Sequence, residues 1–208
     1  LQSTHDAATA VLEAWAPGVE GENALADTLF GAVNPGGKLP VSFPRSVGQI
    51  PIYYNHQNTG RPADPNNKYT SKYLDLPNGP LYDFGFGLSY TTFTISGLRL
   101  SSTRLSRRGG QIKVTADVSN TGDRSGDEVV QLYGPELVGS VRTYEQVLRG
   151  FQRIRLAPGE TRTLTVTLDA EAMQLLDAQV KWVVEPGIFE VRLGSSSTDI
   201  RLKERFEI

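Results

Sequence analysis

The sequence predicts a mainly β chain: a two-sheet β-sandwich preceded by a stretch of α/β character and a long linker. Three observations carry this reading. Apolar and polar residues alternate with period two through much of residues 91–208, as a sheet with one wet face requires. Turn signals separate those runs at Gly109-Gly110, Asn120-Thr121-Gly122, Pro158-Gly159 and Pro186-Gly187. Eight of the 12 prolines lie between Pro35 and Pro80, and six of the eight tyrosines between Tyr53 and Tyr90. That concentration sets off a central segment poor in either hydrophobic period.

Taken in order, Asp6 to Ala10 reads as the end of a helix or a loop, and Ala10 to Trp15 is a short apolar run stopped by Pro17-Gly18. Glu22-Asn23 opens a helix with Ala24, Leu25, Thr28 and Leu29 at helical spacing. Glu20 and Glu22 near its start suit the helix dipole, and Gly31 is a natural stop. Asn34-Pro35-Gly36-Gly37 is a turn, and Lys38 to Pro44 reads as an edge strand bounded by proline. Some 44 residues of this kind cannot cover both faces of a sheet and call for more chain.

In the last segment, Ile112, Val114, Ala116 and Val118 alternate with Lys113, Thr115 and Asp117. Leu164, Val166 and Leu168 repeat the pattern, and Phe189, Val191 and Leu193 alternate with Glu190 and Arg192. About seven strands are expected, at 93–102, 111–119, 127–134, 145–156, 160–169, 178–184 and 187–195, with another at 199–207. The stretch Ala170 to Leu176 is the one expected helical turn there. Seven or eight short strands in about 118 residues indicate a sandwich of immunoglobulin or fibronectin III type.

Composition narrows the function. The 208 residues have room for one large domain or two small ones, and 38% hydrophobic with 21% charged residues suits a chain that buries a core. A net charge of −2 gives no reason to invoke nucleic acid or an anionic membrane, and no apolar run is long enough to span a bilayer. Absent cysteine excludes a disulfide scaffold, a thiolate nucleophile and cysteine-ligated zinc. Met173 is the single methionine, so Leu1 is not an ordinary translation start and the chain is expected to be a piece of something longer.

Chemistry-bearing motifs are sparse. His5 and His56 are the two histidines, neither accompanied by a Gly-x-Ser-x-Gly elbow or by a second ligand at metal spacing. Gly85-Phe86-Gly87 is too short for a dinucleotide loop and reads as two flexible backbone positions where chain packs on chain. Glu13, Glu20, Glu22 and Asp27 cluster as a glycosidase pair would, but read first as helix-start and surface carboxylates. Arg104, Arg107 and Arg108 surround an expected hairpin turn, which reads as a solvated loop. The central segment is different. It holds Ile52-Tyr53-Tyr54-Asn55-His56-Gln57-Asn58-Thr59-Gly60-Arg61-Pro62, then Tyr69, Tyr73, Tyr82, Phe84, Phe86 and Tyr90. Aromatic faces stack on sugar rings while Asn, His and Arg bond to hydroxyls, so Tyr54, His56 and Arg61 are the candidate substrate-binding residues. The competing reading is that a long linker needs aromatic anchors to stay on the surface it crosses.

The string Glu13 to Gly21, the run Ala24 to Gly31 and Asn34 to Pro44 together resemble the end of the α/β sandwich domain of glycoside hydrolase family 3. Tyr82-Asp83-Phe84-Gly85-Phe86-Gly87-Leu88-Ser89-Tyr90-Thr91-Thr92-Phe93 is similar to that family's entry into its fibronectin III-like C-terminal domain. Val118 to Gly122, Gly126 to Tyr133, Leu148 to Phe151, Val184 to Gly187 and Gly194 to Ile200 fit the same pattern. Gln49 to Pro62 resembles the bacterial β-glucosidase and β-xylosidase branch, and Gly134-Pro135 departs from the usual continuation of its strand.

The resemblance implies three parts: residues 1–44 as the end of the α/β sandwich domain, 45–90 as linker, and 91–208 as the fibronectin III-like domain. It implies the C-terminal part of a retaining β-glycosidase, with β-glucosidase the leading activity, that releases non-reducing-end sugars from oligosaccharides. Neither catalytic carboxylate motif has a match in this chain, so catalytic residues here are none, and no cofactor or metal is implied. The expected partners are the N-terminal catalytic portion of the same enzyme and an oligosaccharide or β-glucoside substrate, with a homodimer allowed. A periplasmic or secreted location follows from family habit. The rival readings are a carbohydrate-binding or adhesive sandwich without catalysis, and a structural subunit held non-covalently on a separate catalytic chain.

Overall fold

A computed structural model describes residues 1–57, 59–64, 66–134 and 138–208. Two short helices come first, α1 (Gln2–Ala7) and α2 (Gly21–Leu29). Nine strands follow: β1 (Phe93–Leu100), β2 (Gln111–Asn120), β3 (Gly126–Tyr133), β4 (Leu148–Leu156), β5 (Thr161–Asp169), β6 (Leu175–Leu176), β7 (Trp182–Val183), β8 (Ile188–Gly194) and β9 (Ile200–Glu207).

Period-two alternation sorts the strands into two antiparallel sheets. In β2, Ile112, Val114, Ala116 and Val118 are fully buried while their neighbours face outward. This strand is flanked by β1 and β5, giving the order β1-β2-β5, with Val114 opposite Val166 and Ala116 opposite Leu164. The second sheet has the order β4-β3-β8-β9. Its Val130, Leu132, Val191 and Leu193 meet the first sheet in one core, where Phe189 stacks on Phe206 with ring centroids 5.6 Å apart. Each such fully buried aliphatic or aromatic side chain contributes about 1.5–3 kcal/mol, so the sandwich holds the chain's main store of hydrophobic stabilisation.

Several expected elements come out differently. The segment Lys38 to Pro44 is not a strand. It runs beside residues 81–86 through Leu39 N to Phe86 O (2.8 Å), Gly85 N to Leu39 O (2.8 Å) and Phe43 N to Tyr82 O (2.8 Å). Pro40 and Pro44 have no N–H, so the pairing shrinks to the single bridge Phe43–Tyr82. The expected strand at 178–184 is shortened to β7, which pairs with β6 in a small hairpin. The Asp177 carboxylate takes the N–H groups of Gln179 and Lys181, both at 2.9 Å, and so turns the chain there. The helical turn expected over Ala170 to Leu176 contracts to a 3₁₀ turn at Glu171–Met173. Pro135, the departure from the family pattern, lies outside the described residues, as does Asn58.

No strand forms among the described residues of 1–92. This segment gains order from an aromatic row, Trp15 edge-on to Phe43 (6.0 Å), Phe43 to Tyr82 (6.3 Å) and Tyr82 stacked on Phe86 (5.4 Å). It is joined to the sandwich by Lys38, whose ammonium lies 3.0 Å from the Glu128 carboxylate and donates to Gly87 O at 3.1 Å. Both side chains are largely buried, 13% and 6% exposed, so the pair is screened less than a surface one.

The core assignment has a direct test. Leu193→Ala leaves a cavity between the sheets and is expected to lower unfolding free energy by about 2–5 kcal/mol, read from urea denaturation with an unchanged slope.

Candidate functional site

Residues 49–57 run from a buried glutamine to the outer face of β3. Gln49 is only 3% exposed, and its carboxamide donates to Pro77 O (3.0 Å) and Gly79 O (3.2 Å) and accepts from Arg45 N (2.6 Å). Further along, the Tyr54 ring stacks on Phe84 at 4.2 Å and meets Tyr133 edge-on at 5.9 Å. The Tyr54 hydroxyl accepts from Leu148 N at 3.2 Å.

Beneath this aromatic layer lies a buried polar cluster. Gln131 on β3 donates through Nε2 to Gly85 O (3.1 Å) and Ser195 O (2.7 Å), while its Oε1 accepts from the Tyr133 hydroxyl (2.6 Å). Gln146 donates to Ser197 O at 2.7 Å, and Ser197 N in turn donates to Phe84 O at 3.0 Å. Thr198 closes the ring by donating to the Asp83 carboxylate at 2.6 Å. Gly85 sits at φ +80° and its α-carbon faces the Gln131 carboxamide, so an added Cβ would both strain the backbone and collide with that group. Burial pushes the Tyr133 phenol well above the ordinary value, with the neighbouring Tyr54 and Asp83 adding to the shift. Tyr133 therefore stays a hydrogen-bond donor at every physiological pH.

The three residues singled out from the sequence fall in different surroundings. Tyr54 is an anchor, its ring and hydroxyl both engaged by the sandwich. His56 is exposed; its Nε2 lies 3.7 Å from the Glu145 carboxylate, and its backbone O accepts from Glu145 N at 3.0 Å. Arg61 lines an open groove of about 530 Å³ with Gly60, Pro62, Asp64, Asn67, Tyr69 and Thr70. Of the three, Arg61 alone borders that groove. Among the described residues no group of three or more His, Asp and Glu gathers at metal-binding spacing.

Sequence reasoning did not single out Gln131, Gln146, Ser195 or Ser197. A signal existed for Gln131. It stands in Val130-Gln131-Leu132-Tyr133, where both strand faces carry large apolar neighbours and no wet face is indicated.

Comparison with known proteins places this junction in a wider frame. Residues 1–90 match the Glycosyl hydrolase family 3 C-terminal domain and residues 128–197 the Fibronectin type III-like domain. A periplasmic beta-glucosidase of Salmonella typhimurium is 50% identical over 196 residues, covering 93% of this chain and 26% of that protein. A beta-xylosidase of Formosa agariphila is 43% identical over 193 residues, again 93% of this chain and 26% of the relative. The crystal structure of a beta-glucosidase from Listeria innocua in complex with glucose superposes with a TM-score of 0.87 at 41% identity, covering 94% of this chain and 27% of that one. A β-glucosidase from Erythrobacter marinus superposes at 0.89 with 37% identity, over 98% and 26% of the two chains. The chain thus spans about a quarter of the length of the relatives it matches.

The shifted Tyr133 phenol gives a pH test. Its folded value lies above the ordinary phenol value near 10, so its contribution to stability is complete below about pH 10. That contribution is lost as pH rises from there toward the folded value. Unfolding free energy measured against pH should fall more steeply above pH ~10 for the parent than for Tyr133→Phe.

Proposed function

Because the chain belongs to glycoside hydrolase family 3, as its C-terminal portion, we propose that it is the non-catalytic scaffold end of a retaining β-glucosidase. The observation that carries this is the match, in order, of both domains, together with an alignment to a periplasmic β-glucosidase of Salmonella typhimurium that spans 93% of this chain and 26% of that protein. The complete enzyme would remove non-reducing-end sugars from β-linked oligosaccharides. Its two carboxylates, about 5–5.5 Å apart in a retaining enzyme, would lie on the N-terminal catalytic portion, and it would need no cofactor.

The surface of the first segment supports such a partner. Val19 and Phe30, flanking α2, are 99% and 90% exposed, and Trp15 and Leu29 are also open. Apolar groups this exposed in one short stretch mark a contact surface. Residues 1–44 would complete a sheet-bearing domain there, 45–90 would serve as the linker and 91–208 as the fibronectin III-like domain. A periplasmic location agrees with the Salmonella relative, and no helix among the described residues is long and apolar enough to cross a membrane.

Within this reading the loop around residues 53–61 flanks the substrate. Tyr54 would fix the loop, while the exposed His56 and Arg61 would offer hydroxyl-binding groups. Two measurements test the proposal. The 208-residue chain alone should not hydrolyse a chromogenic aryl β-glucoside; turnover by it would overturn the scaffold assignment. In the complete enzyme, His56→Ala and Arg61→Ala should each raise KM about three- to tenfold with kcat within about twofold. Unchanged KM would remove the loop from the substrate's surroundings.

A further inference from the structure

We infer that Gln131 and Tyr133 of the β-sandwich are positioning residues for the loop around residues 53–61, acting through the Tyr54–Phe84 stack. The inference rests on the substrate-flanking reading of that loop and assigns the sandwich a part in its geometry. Hydrophobic packing alone would seat the linker, but apolar contacts tolerate sliding. A buried carboxamide does not, because its donors and acceptor must each meet a partner in a fixed direction. Gln131, 3% exposed, is satisfied by Gly85 O, Ser195 O and the Tyr133 hydroxyl together. Those bonds set where Phe84 stands, and the Phe84 ring, with the edge of Tyr133, forms the seat of Tyr54. Two residues on, the His56 carbonyl is held by Glu145 N, and Gln57 pairs with Tyr144. The loop is therefore fixed at its anchor and again at its exposed histidine, and both fixings come from the sandwich side.

Removing one member of this cluster leaves its partners buried and unpaired, which costs about 1–3 kcal/mol of stability. Substrate affinity, measured well below the melting temperature of each variant, reports the positioning role separately from that loss. The test uses the complete enzyme, with this chain joined to its N-terminal catalytic portion, and a chromogenic aryl β-glucoside as probe. Tyr133→Phe keeps the ring and removes the hydroxyl, leaving Gln131 Oε1 unpaired; Gln131→Leu removes the carboxamide at similar volume. Each is expected to raise KM about three- to tenfold with kcat within about twofold. The His56→Ala/Tyr133→Phe double variant should be no worse than His56→Ala, since both act on one loop. Both roles lower the melting temperature, but a purely structural role would leave KM of the folded fraction unchanged. Unchanged KM in Tyr133→Phe, while His56→Ala and Arg61→Ala raise it, overturns this inference alone. Unchanged KM in His56→Ala and Arg61→Ala overturns the substrate-flanking reading and this inference with it. Should Gln131→Leu fail to fold, Tyr133→Phe carries the test by itself.

Discussion

The junction between residues 49–87 and the sandwich depends on one buried amide side chain. Gln131 joins a turn 46 residues upstream to a turn 64 residues downstream, and Tyr133 completes its hydrogen bonding from two residues away. Removing any one partner would leave a polar atom buried without water, which costs about 1–3 kcal/mol. The close approach of Gly85, the stacking of Tyr54 on Phe84 and the seating of Asp83 against Thr198 all presuppose that Gln131 is in place.

The ion pair of Lys38 and Glu128 complements this arrangement at the other end of the contact. Both side chains are largely out of water, and Lys38 also reaches Gly87 O, beside the same turn. One turn, residues 83–87, is thus gripped on one side by neutral hydrogen bonds and on the other by a buried cation. Breaking a pair of this kind costs more than making it contributes, because the orphaned charge is left largely out of water. Surface pairs such as Arg104 with Glu207, at 82% and 59% exposed, carry no comparable weight.

The sandwich was largely legible from the residues. Alternation in β2 and β5 survives folding because each strand has one face on the core and their turns carry glycine or proline at the right places, whereas in β8 the polar face is covered too, with Glu190 7% exposed and paired with Arg192 and Arg205. Legibility ended where the pattern had two meanings. Lys38 to Pro44 has the look of an edge strand, but two prolines deprive it of donors and reduce it to one bridge. Trp182 and Val183 continue an apolar run, yet Asp177 turns the chain before a long strand can form. The junction was harder still. Tyr54 could be singled out by type, whereas its partners Phe84, Tyr133 and Leu148 lie up to 94 residues away. Gln146 looks like an ordinary solvent-facing residue until the segment that covers it is in place, and for Gln131 the apolar neighbours on both strand faces hint at burial without naming its partners.

Those sequence separations bear on the order in which the protein is made. Residues 39–87 leave the ribosome before β3 exists, and long before the turn at Ser195 to Thr198 that completes their seat. Thr198 meets Asp83 across 115 residues, and Arg201 meets the carbonyl of Phe93 across 108. Contacts of such high order form late and slowly, since the entropy of closing the loop is lost before any bond repays it. The tyrosines and phenylalanines of this segment are thus exposed on the nascent chain until β8 has paired and its following turn has emerged. That interval is when a growing chain is open to aggregation and to chaperone binding, and its length is set by how far Gln131 stands from Gly85 and Ser197 from Phe84, the residues whose carbonyls they hold.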